Sequence, residues 1–275
     1  MRSKRAAVIR FPGVNCEEET ARALRRLGLE AEIVRWNEGE GLLDRCDGFV
    51  LPGGFSYQDR VRAGAIASRE PILETVARAA ARGAPILGIC NGAQILVEAG
   101  LVPGLDGERI EAALAPNRMP HRTGYHCAWV EVVHEGKGSF LSRALAEGES
   151  LPLPVAHAEG RFVSREAGFF EKLLERGQIP LRYATPEGRA TDVQPFCPNG
   201  STLGAAALSN RAGNVVAMMP HPERAAWLHQ VPDDIRSAWA GRKARLRLGE
   251  GSLFDAGPGL AVLAAFAGAV REGMR

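Results

Sequence analysis

The chain has 275 residues, 45% of them hydrophobic and 24% charged, which is enough for one large core and gives no sign of disorder. Its 34 basic and 32 acidic residues leave a formal charge of +2 and are scattered, with no long basic run or aromatic-basic stripe, so nucleic acid is not implied. The five cysteines, at positions 16, 46, 90, 127 and 197, include no C-x-x-C pair, so neither a disulfide framework nor a structural zinc site is indicated.

Reduced thiols fit a cytoplasmic setting. The apolar stretch after Met1-Arg-Ser-Lys-Arg5 is too short for a signal-peptide core, and no apolar run approaches the roughly 20 residues needed to cross a membrane. A soluble intracellular protein is expected.

In chain order, Ala6 to Phe11 has a strand pattern and runs into the turn Pro12-Gly13. Asn15 is placed to cap the next helix, whose first turn carries Glu17, Glu18 and Glu19, as the helix dipole favours, and Gly28 ends it. Glu30 to Trp36 and Gly48 to Leu51 read as the second and third strands, the third leading directly into Pro52-Gly-Gly54. Pro85 to Ile89 has the length and composition of an interior parallel strand, and Ala93 to Glu98 begins a helix.

Residues 101–128 are rich in Pro, Gly and Arg. Trp129 to Val133 looks like a strand, and 134–152 is weakly patterned with a short helix. Residues 155–162 mix small apolar with polar residues, and Leu181 to Ala184 and Leu203 to Leu208 are short strand candidates. Asn214 to Met219 is a clear strand that leads into Pro220-His-Pro-Glu-Arg224. The polar, arginine-rich stretch from Trp227 to Gly251 reads as an insertion, and Leu260 to Arg271 as an amphipathic helix closing the sheet. Strands alternating with helices predict an α/β fold with a mainly parallel sheet flanked by helices. The expectation is one domain over residues 1–275, with the insertion near 227–251.

The chemistry centres on Gly88-Ile-Cys-Asn-Gly92, where the strand turns into the helix. A tight strand-to-helix turn leaves no room for neighbouring side chains, which explains Gly88 and Gly92. It also holds Cys90 at the carboxyl end of a strand beside a helix N-terminus, where backbone N–H groups and the helix dipole favour a thiolate. A cysteine nucleophile needs a base, and the base needs an orienting group. Prolines on both sides push Met219 and His221 into extended backbone, and positions two apart on an extended chain face the same way. Glu223 is therefore expected beside His221, both aimed at the crevice containing Cys90. Pro52-Gly53-Gly54 follows the neighbouring strand and can turn N–H groups inward, joining that of Asn91, to meet an oxyanion. Cys16, with no histidine near it in sequence, reads as packing.

These residues carry a resemblance. The G-x-C-x-G-x-Q elbow, the upstream P-G-G loop and the late H-P-E resemble the class I, or triad, glutamine amidotransferases, with their flavodoxin-like fold. Within that family the likeness is closer to the glutaminase subunits that serve purine synthesis. It rests on Phe55-Ser-Tyr-Gln-Asp-Arg-Val-Arg-Ala-Gly-Ala-Ile-Ala67, Pro12-Gly-Val-Asn-Cys16, Pro154-Val-Ala-His-Ala-Glu-Gly-Arg161, Asn199-Gly-Ser201 and Met218-Met-Pro-His-Pro-Glu-Arg-Ala225.

The resemblance implies Cys90 as nucleophile, His221 as base, Glu223 as its orienter, Gly53, Gly54 and Asn91 at the oxyanion site, and Gln94 against the glutamine. It implies no cofactor or metal in this chain. ATP and magnesium would belong to a large synthetase partner acting on formylglycinamide ribonucleotide, with a small third subunit in the assembly. No G-x-x-x-x-G-K-[ST] loop is present here, in keeping with ATP binding elsewhere. The chain departs from the family pattern at Gln58 and Ala158, where glycine is usual, and in the length of 227–251.

Other readings remain at this stage. A stand-alone γ-glutamyl amide hydrolase would use the same triad but show full activity without a partner. A non-enzymatic relative would keep the cysteine and lose His-Pro-Glu. His157 and Glu159 read as interface or loop-stabilising residues, while Arg60 and Arg62 read equally as contacts to phosphate or partner and as solvated loop charges.

Overall fold

The fold was analysed in a computed structural model that describes residues 3–38, 40–105, 109–235 and 237–273. Met1 and Arg2 of the amino-terminal segment, and Arg236 of the arginine-rich stretch, lie outside the described residues. In chain order the elements are β1 (Arg5–Arg10), α1 (Glu17–Arg26), β2 (Glu30–Arg35), the single turn α2 (Glu40–Leu43), β3 (Gly48–Leu51), α3 (Ile72–Ala81), β4 (Ile86–Ile89), α4 (Asn91–Glu98) and β5 (Ala113–Ala115). They continue with β6 (His126–His134), β7 (Ser150–His157), β8 (Arg161–Val163), α5 (Phe169–Glu175), β9 (Leu181–Ala184), β10 (Ala205–Ser209), β11 (Val215–Met218), α6 (Ala238–Arg247) and α7 (Gly259–Glu272).

Nine strands form one sheet in the order β2-β1-β3-β4-β11-β10-β9-β6-β7, and β5 pairs with β8 in a small separate sheet. From β2 to β11 the pairings are parallel, and from β11 to β7 each strand is antiparallel to its neighbour. The interior strands β3, β4 and β11 are buried at every position, which is why they read as uninterrupted apolar runs. Helices α1 and α7 pack on one another, and α4 covers β3, β4 and β11.

This order decides where the loops meet. Strands β1, β3, β4 and β11 all run the same way, so Pro12–Cys16, Pro52–Gly54, Cys90 and Met219–Glu223 leave the sheet at one end. Counting the reversals from β11 through β10, β9 and β6 makes β7 parallel to β11 as well. His157 and the residues after it therefore reach the same end.

Several local expectations shift. The strand predicted over 129–133 runs from His126 to His134, and its partner β7 falls where the pattern looked weakest. Pro152 and Pro154 interrupt the strand signal, yet β7 is the last strand of the sheet, where a missing N–H on the unpaired edge costs no ladder bond. Asn15 makes no cap. Cys16 is the N-cap residue of α1 without a side-chain bond to the helix, and the Asn15 side chain faces the Cys16 sulfur instead. The stretch 227–251 contains α6, and the bridge between Trp227 and Ala256 closes its base against the segment that follows. Among the described residues no helix is long and apolar enough to cross a membrane.

Candidate active site

Helix α4 begins at Asn91, immediately after Cys90, two residues earlier than the apolar pattern suggested. The turn is so abrupt that Cys90 takes φ 50° and ψ −104°, a conformation that costs a non-glycine residue about 1–3 kcal/mol. Gly92 is the reason the turn can close, because a Cβ there would lie 1.8 Å from the carbonyl oxygen of Leu51 at the end of β3. The Cys90 sulfur is buried, 3.6 Å from the Ala156 carbonyl oxygen of β7.

His221 follows β11 and is pinned by a bond from its N–H to the Pro154 oxygen at 2.8 Å. Its Nδ1 lies 2.6 Å from Glu223 Oε1, and both side chains are buried. The pair is made by a different backbone from the one the prolines suggested. Pro222 opens a 3-10 turn over Pro222–Ala225, so Glu223 returns to the imidazole by helical curvature rather than by strand alternation.

The other imidazole nitrogen, Nε2, is buried with no hydrogen-bond partner, although Cys90 lies close enough to raise the proton affinity of the ring. Burial opposes the charged imidazole more than any other single effect, yet Glu223, Cys90 and Cys16 together hold His221 well above the usual histidine range.

Asn91 is fully buried. Its Oδ1 accepts the Ser56 N–H at 3.0 Å and its Nδ2 donates to Gln94 Oε1 at 2.9 Å. As the first residue of a helix its N–H lacks an intrahelical acceptor, and it directly follows Cys90. Gln94 in turn donates to the Glu159 carbonyl oxygen at 2.7 Å, tying the elbow helix to the loop after β7.

Gly54 and Gly53 take different positions. Gly54 lines a cleft of about 190 Å³ together with Cys90, Gln94, Asp59, His157 and Glu159. Gly53 packs against His221, where a Cβ would meet Cε1 at 2.6 Å, and its carbonyl oxygen accepts the N–H groups of Asn15 and Cys16.

His157 and Glu159, read from sequence as interface or loop-stabilising residues, lie at this end of the sheet with Asp59, and both bond to neighbouring loops. His157 is buried, with Nδ1 3.1 Å from Asn117 Oδ1, and burial followed by the neighbouring His221 and His126 pushes it down to about 3. Asp59 is pushed up to about 6 by burial and by Glu159 across the cleft. Glu159 Oε2 accepts the Ala63 N–H at 3.2 Å.

Arg62 bonds within the chain. It holds Glu98 of α4 in a two-pronged ion pair that fastens the 56–64 loop to the elbow helix. That loop carries positive φ at Tyr57, Gln58, Asp59 and Val61. Gln58, at φ 60°, occupies a position that glycine would hold without strain. Cys16 is buried within reach of His221, Glu223 and Arg224. The signal that could have placed it was the direction of β1, whose exit loop must share the crevice.

A larger groove of about 470 Å³ runs along β6 and β9 past Trp129, Glu131, Phe196 and Ile235. Burial pushes Glu131 up to about 7 there, but none of the groups above reaches it.

A strained cysteine at a strand-to-helix elbow, facing a buried His–Glu pair at the carboxyl ends of parallel strands, defines a triad amidotransferase domain. The family model of the CobB/CobQ-like glutamine amidotransferase domain matches residues 3–248.

The phosphoribosylformylglycinamidine synthase subunit PurQ of Methanothrix thermoacetophila is 50% identical over 238 residues, spanning 83% of this chain and 89% of its own. That of Thermus thermophilus is 42% identical over 221 residues, 80% of this chain and 89% of its own. Among solved structures, PurLQS from Thermotoga maritima matches with a TM-score of 0.70 and 32% identity, covering 96% of this chain and 98% of that one. A glutamine amidotransferase from the same organism, at 17% identity and a TM-score of 0.51, shares the fold. The chain belongs to the glutamine amidotransferases and, among them, to the PurQ subunits of phosphoribosylformylglycinamidine synthase.

Proposed function

We propose that the chain splits the side-chain amide of glutamine at Cys90 and hands the ammonia to a synthetase subunit of phosphoribosylformylglycinamidine synthase. One observation carries this reading: Cys90, held in a strained elbow, faces a histidine whose far nitrogen is bound to a buried carboxylate at 2.6 Å.

The chemistry follows from that arrangement. His221 Nε2 takes the thiol proton, and the sulfur attacks the amide carbon to form a C–S bond. The N–H of Asn91, with that of Gly54 across the cleft, meets the oxyanion. The C–N bond then breaks, the ammonia leaving with a proton from His221. Water next attacks the thioester, giving up its proton to His221, and glutamate is released as the C–S bond breaks. Glu223 fixes the imidazole tautomer throughout, and Gln94 contacts the glutamine from the wall of the cleft.

No residue of this chain needs a metal or cofactor for these steps. The ATP- and magnesium-dependent amination of formylglycinamide ribonucleotide falls to the large partner, with a small third subunit completing the assembly. The likeness of this chain to one in the PurLQS structure from Thermotoga maritima supports a multi-subunit assembly of this kind. Ammonia that escaped would become ammonium at neutral pH, so hydrolysis is useful only when coupled to its acceptor. A biosynthetic role of this kind belongs in the cytoplasm. The 275 residues act as one glutaminase domain, with 227–251 as a surface addition.

Glutaminase turnover measured with and without the cognate large subunit and its nucleotide tests the proposal. Slow hydrolysis alone, accelerated by the partner and abolished by Cys90→Ala, is expected. Equal turnover in both conditions would favour a stand-alone hydrolase, and activity surviving Cys90→Ala would remove the nucleophile.

A further inference from the structure

The reaction leaves one buried nucleophile at the catalytic end of the sheet without a task. The Cys16 sulfur lies 4.0 Å from His221 Nδ1, on the same side of the ring as Glu223. It accepts an N–H from Arg224 at 3.0 Å and directs its own hydrogen toward Asn15 Oδ1 at 3.3 Å. Its backbone is equally constrained, since the N–H groups of Asn15 and Cys16 both bind the Gly53 oxygen, and Gly53 packs against the imidazole. Arg224 Nε is itself 3.9 Å from Glu223 Oε1. A permanent cation thus stands near an imidazole that must become a cation during turnover, and a sulfur touches both.

We infer that Cys16 is a positioning residue for the base: its sulfur braces the Nδ1 edge of His221 against Glu223 and serves as a shared acceptor for the guanidinium and the charged imidazole. The inference rests on the reading of Cys90, His221 and Glu223 as a triad. The choice of sulfur has a physical basis. A thiol is a large, polarisable and weak acceptor, so it can fill the space and soften the field of Arg224 without drawing the Nδ1 proton away from the carboxylate. A hydroxyl would compete for that proton, and a methyl would leave Arg224 without its acceptor.

The groups facing His221 are Glu223 and Arg224 on its own turn, Cys90 from the elbow and Cys16 from the loop after β1. His157 at the end of β7 and Tyr125 ahead of β6 complete the set. Of these, Arg224 is the permanent cation, so weakening its screening disfavours the charged imidazole.

The test is the pH dependence of Cys90 alkylation by iodoacetamide, followed at the Cys90 peptide by mass spectrometry, together with steady-state glutaminase kinetics. In Cys16→Ala the alkaline limb, where the imidazole loses its proton, is expected to move to lower pH by about half a unit or more. The kcat is expected to fall roughly tenfold while KM stays within about twofold, as for a group acting on the base rather than on substrate. Adding Arg224→Met to that variant removes the unscreened cation and should return the limb toward higher pH.

A Cys16 that merely packs would lower the melting temperature and leave the limbs in place. Limbs of Cys16→Ala that superimpose on those of the unmodified protein overturn the inference. If the alanine variant does not fold, Cys16→Ser takes its place: its hydroxyl competes for the Nδ1 proton, so the limb is again expected to move, and unchanged limbs there overturn the inference too. Failure of the triad reading shows separately, as glutaminase activity that survives Cys90→Ala.

Discussion

At Cys90 the backbone is forced to φ 50° and ψ −104°, and the same turn that strains it delivers a sulfur to an imidazole from the far end of the chain. The imidazole is useful only while Glu223 holds Nδ1, at 2.6 Å in a site where neither side chain is more than 2% exposed. Replacing Glu223 by Gln keeps the shape but offers the ring an amide that can bind either tautomer. A fall in kcat of about 10²-fold or more is therefore expected, with KM for glutamine changed far less. Steady-state kinetics with the partner present measures it, and a kcat within about threefold of the original would remove Glu223 from its role.

The His221–Glu223 pair was legible because His-Pro-Glu follows a strong strand pattern. The 3-10 turn that makes the contact was not, since Pro222 is compatible with both extended and helical continuations. Cys16 was illegible for another reason. Its partners His221 and Arg224 are more than two hundred positions away in sequence, and only the adjacency of β1 to β3 brings them together.

Among the elements, the β4–α4 elbow depends on how closely two backbones approach. A Cβ on Gly92 would fall 1.8 Å from the Leu51 oxygen, a clash with main chain that no rotamer relieves. Gly92→Ala is expected to cost about 3 kcal/mol or more, because β3 or the elbow must shift. In a chain of this size that is a fall in melting temperature of roughly 5–10 °C, read by calorimetry or thermal circular dichroism. A melting temperature within about 1 °C of the original would show that the contact yields freely. Local pattern was sufficient for β1, β3, β4, β11 and α7, where apolar runs or amphipathic spacing are unbroken. It was insufficient for β7, whose prolines are tolerated only because the strand lies at the sheet edge, and that position is a property of the assembled sheet.

For the whole molecule, the sheet order gathers the ends of β1, β3, β4, β11 and β7 at one end of the sheet, and burying titratable groups there makes stability depend on pH. His157 is pushed down to about 3 in the folded chain from the usual 6.5, first by burial. It is neutral in both states above the unfolded value. As pH falls through about 6.5 the unfolded chain takes up a proton that the folded chain refuses, so stability is lost at about 1.4 kcal/mol per pH unit until the folded group titrates. Between pH 6.5 and about pH 5 the native chain should therefore lose about 2 kcal/mol more than His157→Gln, as measured by urea unfolding. Parallel curves for the two proteins would mean that His157 stays accessible to protons in the folded state. His221 is present in both proteins, and its raised value works in the opposite direction, adding stability at low pH that is lost as pH rises through its folded value.

By themselves the amino acids determined the alternation of strands and helices, the elbow around Cys90 and the kind of chemistry on offer. Those features depend on neighbours within a few residues: apolar period, small residues at a tight turn, prolines beside a histidine. Tertiary structure alone decided which loops share a cleft, that Gly53 packs against His221 while Gly54 faces the cleft, and that Cys16 and Arg224 flank His221. Such contacts are set by strand order and direction, and burial against distant segments leaves no trace in local pattern.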